Sequence, residues 1–253
     1  MDSAAYGIND AGQVVGYIHT GNDFAVHATL WNGAVPTDLG GPDTQSYATA
    51  INNAGVVVGD YGTGGPDYVS PLRWNPNSID PIELDTLGPI NEVTGINDAG
   101  QVVATSLTDD FILSAELWND TITPTDLGPG PSGSGLSGAN GINRFGQVAG
   151  FASTDGVNFH AALWNGTIAV DLNSRISAAR ARYITLTEAT AINDNGWIAA
   201  NGFNSKTGRA EAYLLTPRRV TCDDCLCNKD QSEGIHSEKI HCGEDRADAK
   251  CCE

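Results

Sequence analysis

The hydrophobic and polar positions of this chain follow a short pattern that returns five times. Each copy opens with Gly-Ile or Ala-Ile, continues with a polar turn of the form Asn-Asp-x-Gly or a close variant, and leaves that turn through an apolar run. The first copy spans residues 7–16, and the asparagines that mark the five copies are Asn9, Asn52, Asn97, Asn143 and Asn193. Their spacings are 43, 45, 46 and 50 residues. A period of this size indicates a solenoid, a propeller or an array.

The polar turn of each copy separates two predicted strands. Asn and Asp tolerate left-handed backbone and Gly supplies a positive φ, so the pattern predicts a β-hairpin. A third apolar segment then carries a tryptophan 21 or 22 residues after the asparagine, at Trp31, Trp74, Trp118 and Trp164. In the fifth copy Leu214 is expected to replace it. A fourth short segment ends in Asp-Leu-Gly or a related triplet, as at residues 38–40.

Four short strands in about 45 residues match the size of one propeller blade. We therefore predict an all-β fold, a β-propeller of about five four-stranded blades over residues 1–221, with a small cysteine-rich C-terminal tail over residues 222–253. Five copies of the first three segments are matched by only four of the last. The chain is thus expected to begin at the second strand of a blade, with residues 218–221 supplying the missing strand. An open curved array is the alternative.

The repeat resembles the HAF repeats of extracellular bacterial proteins, whose signatures are Ala-x-x-Ile-Asn-x-x-Gly-x-Val-x-Gly and Ala-x-Leu-Trp. The resemblance covers residues 4–217. It implies an exported repeat protein without an assigned activity, and it brings no catalytic residue to this chain.

The repeated tryptophans allow two interpretations. A tryptophan in an Ala-x-Leu-Trp strand can pack between blades, where it contributes a large buried area. The same four side chains could instead form a sugar-binding platform. Packing between blades is the favoured interpretation.

The charge balance narrows the choice of partners. The chain has 13 Lys and Arg against 31 Asp and Glu, a net charge of −18. The scarcity of Lys and Arg argues against binding to nucleic acids. The sequence has no apolar run of 18 residues, which argues against insertion into a membrane. No secretory signal precedes the first repeat. We expect a mature or trimmed form of an extracellular or cell-surface protein, and a cytosolic protein is the alternative. The acidic surface is expected to give solubility, and binding of Ca²⁺ or another divalent cation there is the alternative.

The six cysteines all lie in the tail, at Cys222, Cys225, Cys227, Cys242, Cys251 and Cys252. Because the tail has few apolar residues, they predict a disulfide framework of up to three bridges, for which fifteen connectivities exist. Each bridge would stabilise the tail by roughly 2–4 kcal/mol. A Zn²⁺ site that also uses His236 and His241 is the alternative, and a bridge between two chains is a third option. No cofactor is predicted.

Three arginines form a candidate docking patch before the fifth repeat. Arg175, Arg180 and Arg182 lie in an insertion, residues 174–188, that could form one helical turn or a longer strand. The patch would suit an acidic neighbour, including a second copy of this chain. Salt bridges to local carboxylates are the alternative.

Enzyme chemistry is not predicted. His19, His27 and His160 are isolated, and no nucleophile elbow, P-loop or dinucleotide fingerprint is present. The first hypothesis is an exported, non-catalytic β-propeller that acts as a structural, adhesive or filament-forming building block through self-association or another extracellular protein. The second is a carbohydrate-binding, lectin-like propeller. The third is a glycoside-acting enzyme with a central acidic cleft, although no particular pair of carboxylates stands out.

Overall fold

The computed structural model describes residues 2–20, 25–40, 45–62, 69–88, 90–107, 112–130, 135–153 and 155–217. The chain divides into a compact unit, Met1–Thr216, and a second unit, Pro217–Glu253. The secondary structure described below lies in the first unit. The strand predicted at residues 218–221 and the six cysteines of the tail lie outside the described residues, so both stay predictions.

Strands dominate the described chain and form five antiparallel sheets, numbered here in chain order. Sheet 1 contains β1 (Ser3–Ile8), β2 (Gln13–Thr20), β3 (Ala25–Asn32) and β4 (Val35–Gly40). Sheet 2 contains β5 (Ser46–Ile51), β6 (Val57–Gly62), β7 (Val69–Trp74) and β8 (Ile82–Glu83). Sheet 3 contains β9 (Ile90–Ile96), β10 (Gln101–Leu107), β11 (Leu113–Asn119) and β12 (Thr125–Asp126).

Sheet 4 contains β13 (Ser137–Ile142), β14 (Gln147–Ser153), β15 (Phe159–Asn165) and β16 (Ile168–Asp171). A 3-10 turn at Leu172–Arg175 and a short helix, α1 (Ala178–Ala181), follow. Sheet 5 contains β17 (Ile184–Ile192), β18 (Ile198–Asn204) and β19 (Arg209–Leu215). The prediction of an all-β fold is confirmed, and the insertion before the fifth repeat does form one helical turn.

Each sheet is built from consecutive strands of one repeat. The prediction that the chain begins at the second strand of a blade is wrong, because β4 pairs with β3 of its own repeat, with Thr29 opposite Asp38. The reason is local: Asn32 and Val35 pair across a two-residue turn in which Gly33 has a φ of 64°. Such a turn joins adjacent antiparallel strands. Sheet 1 is therefore complete, and the described part of sheet 5 has three strands.

The repeated asparagine closes the turn of its own hairpin, as predicted, and also binds the next sheet. Asn9 Oδ1 accepts hydrogen bonds from the backbone N–H groups of Ala11, at 3.1 Å, and Gln13, at 3.0 Å. Asn9 Nδ2 donates to the carbonyl of Asn52, at 3.1 Å. The same donation runs from Asn52 to Asn97, from Asn97 to Asn143 and from Asn143 to Asn193. One residue type therefore fixes both the hairpin and the order of the sheets.

Three of the four repeated tryptophans, Trp74, Trp118 and Trp164, pack against the preceding sheet, which confirms the favoured interpretation for these three; Trp31, in the first sheet, is half-buried. Trp74 and Trp118 are buried, and their Nε1 atoms donate to the carbonyls of Leu39 and Asp85, 3.0 and 3.2 Å away in the preceding repeat. In the fifth repeat the equivalent position is Leu215 rather than Leu214. Leu215 pairs with Ile198 in the register in which Trp164 pairs with Val148.

The first strand of each sheet lies innermost, and the close approach of these strands requires small residues. A Cβ added at Gly7 would lie 3.2 Å from the Cα of Ala50, which occupies the same position in the next repeat. A Cβ added at Gly141 would lie 3.7 Å from the Cα of Ala191, an ordinary van der Waals contact, so this position has room for an alanine. This contact explains why each repeat opens with Gly or Ala before Ile.

Candidate ligand site in the central cavity

A cavity of about 750 Å³ lies where the first strands of the five sheets converge. Its wall includes residues from every sheet, with one contribution each from β1, β5, β9, β13 and β17 at an equivalent position: Tyr6, Thr49, Thr94, Asn140 and Thr190. Its size falls within the range of about 300–1,000 Å³ that is typical of small-molecule sites. The cavity is therefore the candidate functional site.

A β-bulge turns each of these five side chains toward the cavity. In β1 the pairing with β2 passes from Ala5 directly to Gly7, so Tyr6 has no opposite residue. The pairing of the other four first strands shifts at the same place. A bulged residue is unpaired and bends its strand, which redirects its side chain. Because the bulge recurs in every repeat, the sheets present one side chain each around the cavity.

Three carboxylates interrupt the fivefold pattern. Asp60 comes from β6, Glu92 from β9 and Glu188 from β17, and all three line the cavity. No Lys, Arg or His belongs to the part of the wall that the structure describes. The cavity is therefore acidic, and the three acidic side chains come from three different sheets.

Asp60 is the most perturbed of these groups. It exposes only 9% of its surface. Burial raises the pKa of Asp60 from 3.8 to about 7, the hydrogen bond from the backbone N–H of Val93 lowers it, and the charge of Glu92 raises it. The Asp60 carboxyl is consequently close to half ionised near neutral pH, beside the carboxylate of Glu92.

Glu188 is held by amide groups. Its Oε1 accepts from Asn140 Nδ2 at 2.9 Å, and its Oε2 accepts from Asn201 Nδ2 at 3.3 Å. Asn140 also donates to the carbonyl of Ala189, at 3.0 Å. The backbone of Glu92 pairs with that of Thr105, but its side chain has no hydrogen bond or ion pair with a described residue. Among the described residues, the cavity thus contains one carboxylate held by amide groups and one without such contacts.

Tyrosines occupy the side of the cavity formed by sheets 1 and 2. Tyr6 and Tyr47 belong to the wall, and the ring of Tyr17 lies between them, with centroid distances of 5.7 Å to Tyr6 and 5.3 Å to Tyr47. Burial, then the neighbouring Tyr17 and Asp60, raise the pKa of Tyr47. The phenol stays neutral, so the side chains offer ring faces and hydroxyl groups to a ligand.

The arginine patch predicted from the sequence is not part of this cavity. Arg175 lies in the 3-10 turn, Arg180 in α1, and Arg182 directly after it, and all three are exposed. None of them forms a salt bridge with the described residues. A docking role for the patch stays a prediction.

Two of the histidines are not isolated, contrary to expectation. Nδ1 of His27 lies 2.8 Å from Oδ2 of Asp38, and Nδ1 of His160 lies 2.8 Å from Oδ2 of Asp171. Each pair joins the third and fourth strands of one sheet diagonally: Asp38 lies opposite Thr29 and Asp171 opposite Ala162, and each histidine lies two residues before that partner. They are structural contacts outside the cavity wall.

The sequence did not identify Asp60, Glu92 or Glu188, although a signal was present. Glu92 and Glu188 lie five residues before the repeated asparagine, a position that holds Ala4, Tyr47 and Gly138 in the other repeats. An alignment of the five repeats shows that this position holds glutamate only in the third and fifth repeats. It does not show that the position faces a cavity.

Metal binding and membrane insertion find no specific support in the described residues. Within the described ranges, no group of three or more His, Cys, Asp or Glu side chains could hold a metal ion. No helix in that part of the chain has the length and apolar character needed to cross a membrane.

A solved structure supports the architecture. The crystal structure of TolB from Acinetobacter baumannii is similar to this chain with a TM-score of 0.51 and 10% sequence identity, over 84% of this chain and 54% of that chain. The fold is a β-propeller. At this identity the similarity shows the fold alone, and this β-propeller spans about half the length of the TolB chain. No protein-family model and no curated protein matches the sequence, so membership of the HAF-repeat family stays a prediction.

Proposed function

We propose that this chain is an exported, non-catalytic β-propeller whose central cavity binds a carbohydrate that carries amino groups. The supporting observation is the composition of the cavity wall, which combines three carboxylates with tyrosine rings and contains no basic residue among those described. The extracellular setting is implied by the resemblance to HAF repeats. An adhesive role, the first hypothesis from the sequence, follows if the bound glycan belongs to a surface.

The carboxylates favour a cationic ligand. The carboxylate oxygens of Glu92 accept no hydrogen bond from the described residues, and Glu188 keeps lone pairs beyond its two amide contacts. An ammonium group placed between them would form charge-assisted hydrogen bonds, which are stronger than neutral ones. Anionic ligands are excluded because their charge would add to that of the wall. The faces of Tyr6 and Tyr47 attract cations as well.

The rest of the wall suits a sugar ring. Thr49, Thr94 and Thr190 place hydroxyl groups at three of the five bulges, and the Thr94 hydroxyl already donates to the carbonyl of Ala139 at 2.7 Å. A hydroxyl that donates still has lone pairs that accept from sugar hydroxyls. The four repeated tryptophans do not together form a lectin-like platform, because three of them, Trp74, Trp118 and Trp164, are buried. Carbohydrate binding therefore depends on the cavity.

A matched pair of ligands tests the proposal. Isothermal titration calorimetry compares a glucosamine tetramer with its N-acetylated counterpart, at a pH at which the amines are protonated. We expect the amine form to bind at least about tenfold more tightly, and the difference to shrink as salt is added. Equal affinity for both tetramers, or no binding of either, would contradict the proposal.

Variants locate the site. Glu92→Gln should weaken binding of the amine form by about tenfold, the equivalent of one charge-assisted hydrogen bond. Asp80→Asn removes the same charge from an exposed loop residue outside the cavity wall and should leave the affinity unchanged. If both variants weaken binding equally, the general negative charge rather than the cavity holds the ligand.

Glycoside hydrolysis is a second candidate, and the Asp60–Glu92 pair is the observation that favours it. Hydrolysis needs one carboxyl group with a raised pKa as general acid and a second carboxylate as nucleophile or base. Asp60 has the raised pKa, and Glu92 is the neighbouring charge that contributes to it. Release of shorter oligomers from the glucosamine tetramer, lost in Asp60→Asn, would replace the binding proposal with an enzymatic one.

A further inference from the structure

The four interfaces between neighbouring sheets use the same positions in every repeat. Toward the next sheet, each of sheets 1 to 4 presents one fully buried residue of its second strand: Val15, Val58, Val103 and Ala149. Toward the preceding sheet, each of sheets 2 to 5 presents one almost fully buried residue of its first strand: Ala48, Val93, Ala139 and Ala189. The first and second strands of adjacent sheets pack together throughout.

The two end sheets expose these same positions. In sheet 5 the equivalent of Val15 is Ala199, which is exposed, and its partner across the strands, Leu214, is 61% exposed. In sheet 1 the equivalent of Ala48 is Ala5, which is also exposed. Ile8 is 69% exposed, whereas its equivalent Ile51 is buried. Among the described strands, none of the closely packed pairs joins sheet 1 to sheet 5.

The asparagine series is also incomplete at this end. Asn9, Asn52, Asn97 and Asn143 are buried and donate from Nδ2 to the next asparagine carbonyl. Asn193 is exposed, and although its Oδ1 closes its own turn, its Nδ2 has no partner among the described residues. Within residues 2–217, as far as they are described, the donor that would bind a following sheet therefore has no acceptor.

We propose that the exposed face of sheet 5, formed by Ala199 and Leu214, docks on the exposed face of sheet 1, formed by Ala5 and Ile8, of a second copy of this chain. The contact continues the interface already present four times within the chain, with Asn193 donating to the carbonyl of Asn9 in the second copy. Because the two faces differ, the contact is heterologous and leaves one face free at each end. Repetition extends the assembly into a filament unless it closes into a ring.

One feature of this interface opposes association. At three of the four interfaces the residue after the asparagine donates its backbone N–H to the side chain of its counterpart in the next sheet, as Asn53 does to Asp98 at 2.9 Å. Within the chain, Asn53 also separates two carboxylates, because its Nδ2 donates to Asp10 and to Asp98. Between copies, Asp194 would meet Asp10 without such a spacer, so two carboxylates would be adjacent. Their repulsion limits the affinity of the natural chain, and added salt should strengthen association by screening it.

Sedimentation velocity of the full chain over a range of concentrations tests the proposal, under reducing conditions so that tail cysteines cannot link chains. The wild type should form species larger than a dimer as its concentration rises. Ile8→Lys blocks the sheet 1 face and Leu214→Lys blocks the sheet 5 face, and each should raise the dissociation constant by at least about 30-fold. Both side chains are exposed in the free chain, so the variants should keep the circular dichroism spectrum of the wild type.

A mixture of the two variants distinguishes this contact from a symmetric one. Each variant retains the face that the other has lost, so equal amounts should form a species of two chains and nothing larger. Ile168→Lys, which adds the same charge at an exposed position of sheet 4, should behave as the wild type. Asp194→Asn should tighten association by about twofold to fivefold, because it recreates the arrangement at Asn53. A wild type that stays monomeric at all concentrations, or a mixture that stays monomeric, would overturn the proposal.

Discussion

The substitution Asp60→Asn isolates the energetic effect of burying a carboxyl group in the cavity wall. The folded pKa of Asp60 is raised from 3.8 to about 7, so between these values the folded chain binds more protons than the unfolded chain. Stability associated with Asp60 is therefore fully present below the unfolded pKa and is lost as the pH rises through the folded pKa. A rise from 3.8 to about 7 corresponds to a loss of about 4 kcal/mol.

Asparagine cannot ionise, and its side-chain oxygen can still accept the hydrogen bond from Val93. The free energy of unfolding of Asp60→Asn, relative to the wild type, should thus increase by about 4 kcal/mol between about pH 4 and about pH 8. Urea denaturation followed by the fluorescence of the buried tryptophans measures it. The Asp60→Asn variant and the wild-type reference both carry the additional substitution Leu214→Lys, so that self-association does not contribute to the measured free energy.

Two controls accompany this measurement. Asp80→Asn removes an exposed carboxylate, and its stability difference from the wild type should change little over the same pH range. Glu92→Gln removes the charge that contributes to the raised pKa of Asp60, so it should reduce the pH dependence in part. Parallel stability curves for Asp60→Asn and the wild type would refute the reasoning, because they would show that folding does not perturb Asp60.

Five further substitutions, two pairs and a single one, test buried contacts by the same denaturation method. Asn52→Ala should lower the free energy of unfolding by about 2–4 kcal/mol, because it removes three hydrogen bonds. Asn193→Ala should lower it by at least about 1 kcal/mol less than Asn52→Ala does, because it removes no hydrogen bond between sheets. Trp164→Phe should cost at least about 1 kcal/mol less than Trp74→Phe, because the buried Nε1 of Trp164 has no partner among the described residues and that of Trp74 has one. Glu116→Gln should stabilise the chain at neutral pH and less so in acid, because burial raises the pKa of Glu116, and the hydrogen bond from the backbone N–H of Leu87 to its Oε1 opposes that rise only in part.

The repeat pattern predicted the strands and their hairpins because that information is local. Asn, Asp and Gly in the turn have the backbone preferences that a tight reversal needs, and the observed turns at residues 9–12 and 52–55 follow them. The inter-sheet role of the tryptophans was predictable for a related reason. A large apolar side chain that recurs at one position of successive sheets is shielded from solvent chiefly when it packs against the neighbouring sheet.

The assignment of the fourth segment shows where local information was misread. The two residues after Asn32 form a turn that keeps β4 in the sheet of its own repeat. Gly33 at that turn is visible in the sequence and indicates a short hairpin. The prediction instead relied on the unequal numbers of segments, five copies of the first three and four of the last. A short turn is stronger evidence for adjacency than a count, because two strands joined by two residues can only pair with each other.

The sequence by itself determined that five similar units would stack as sheets in chain order, because each repeat contains its own turn signals and its own apolar face. Only the tertiary structure decided which side chains meet at the centre. The bulge that redirects Tyr6 and its equivalents, the burial of Asp60 beside Glu92, and the exposure of Ala5 and Ala199 at the two ends all depend on the neighbouring sheet. Residues at the same position in the repeat therefore differ in burial, because the environment of a residue is set by what packs against it, and the repeat pattern does not encode that.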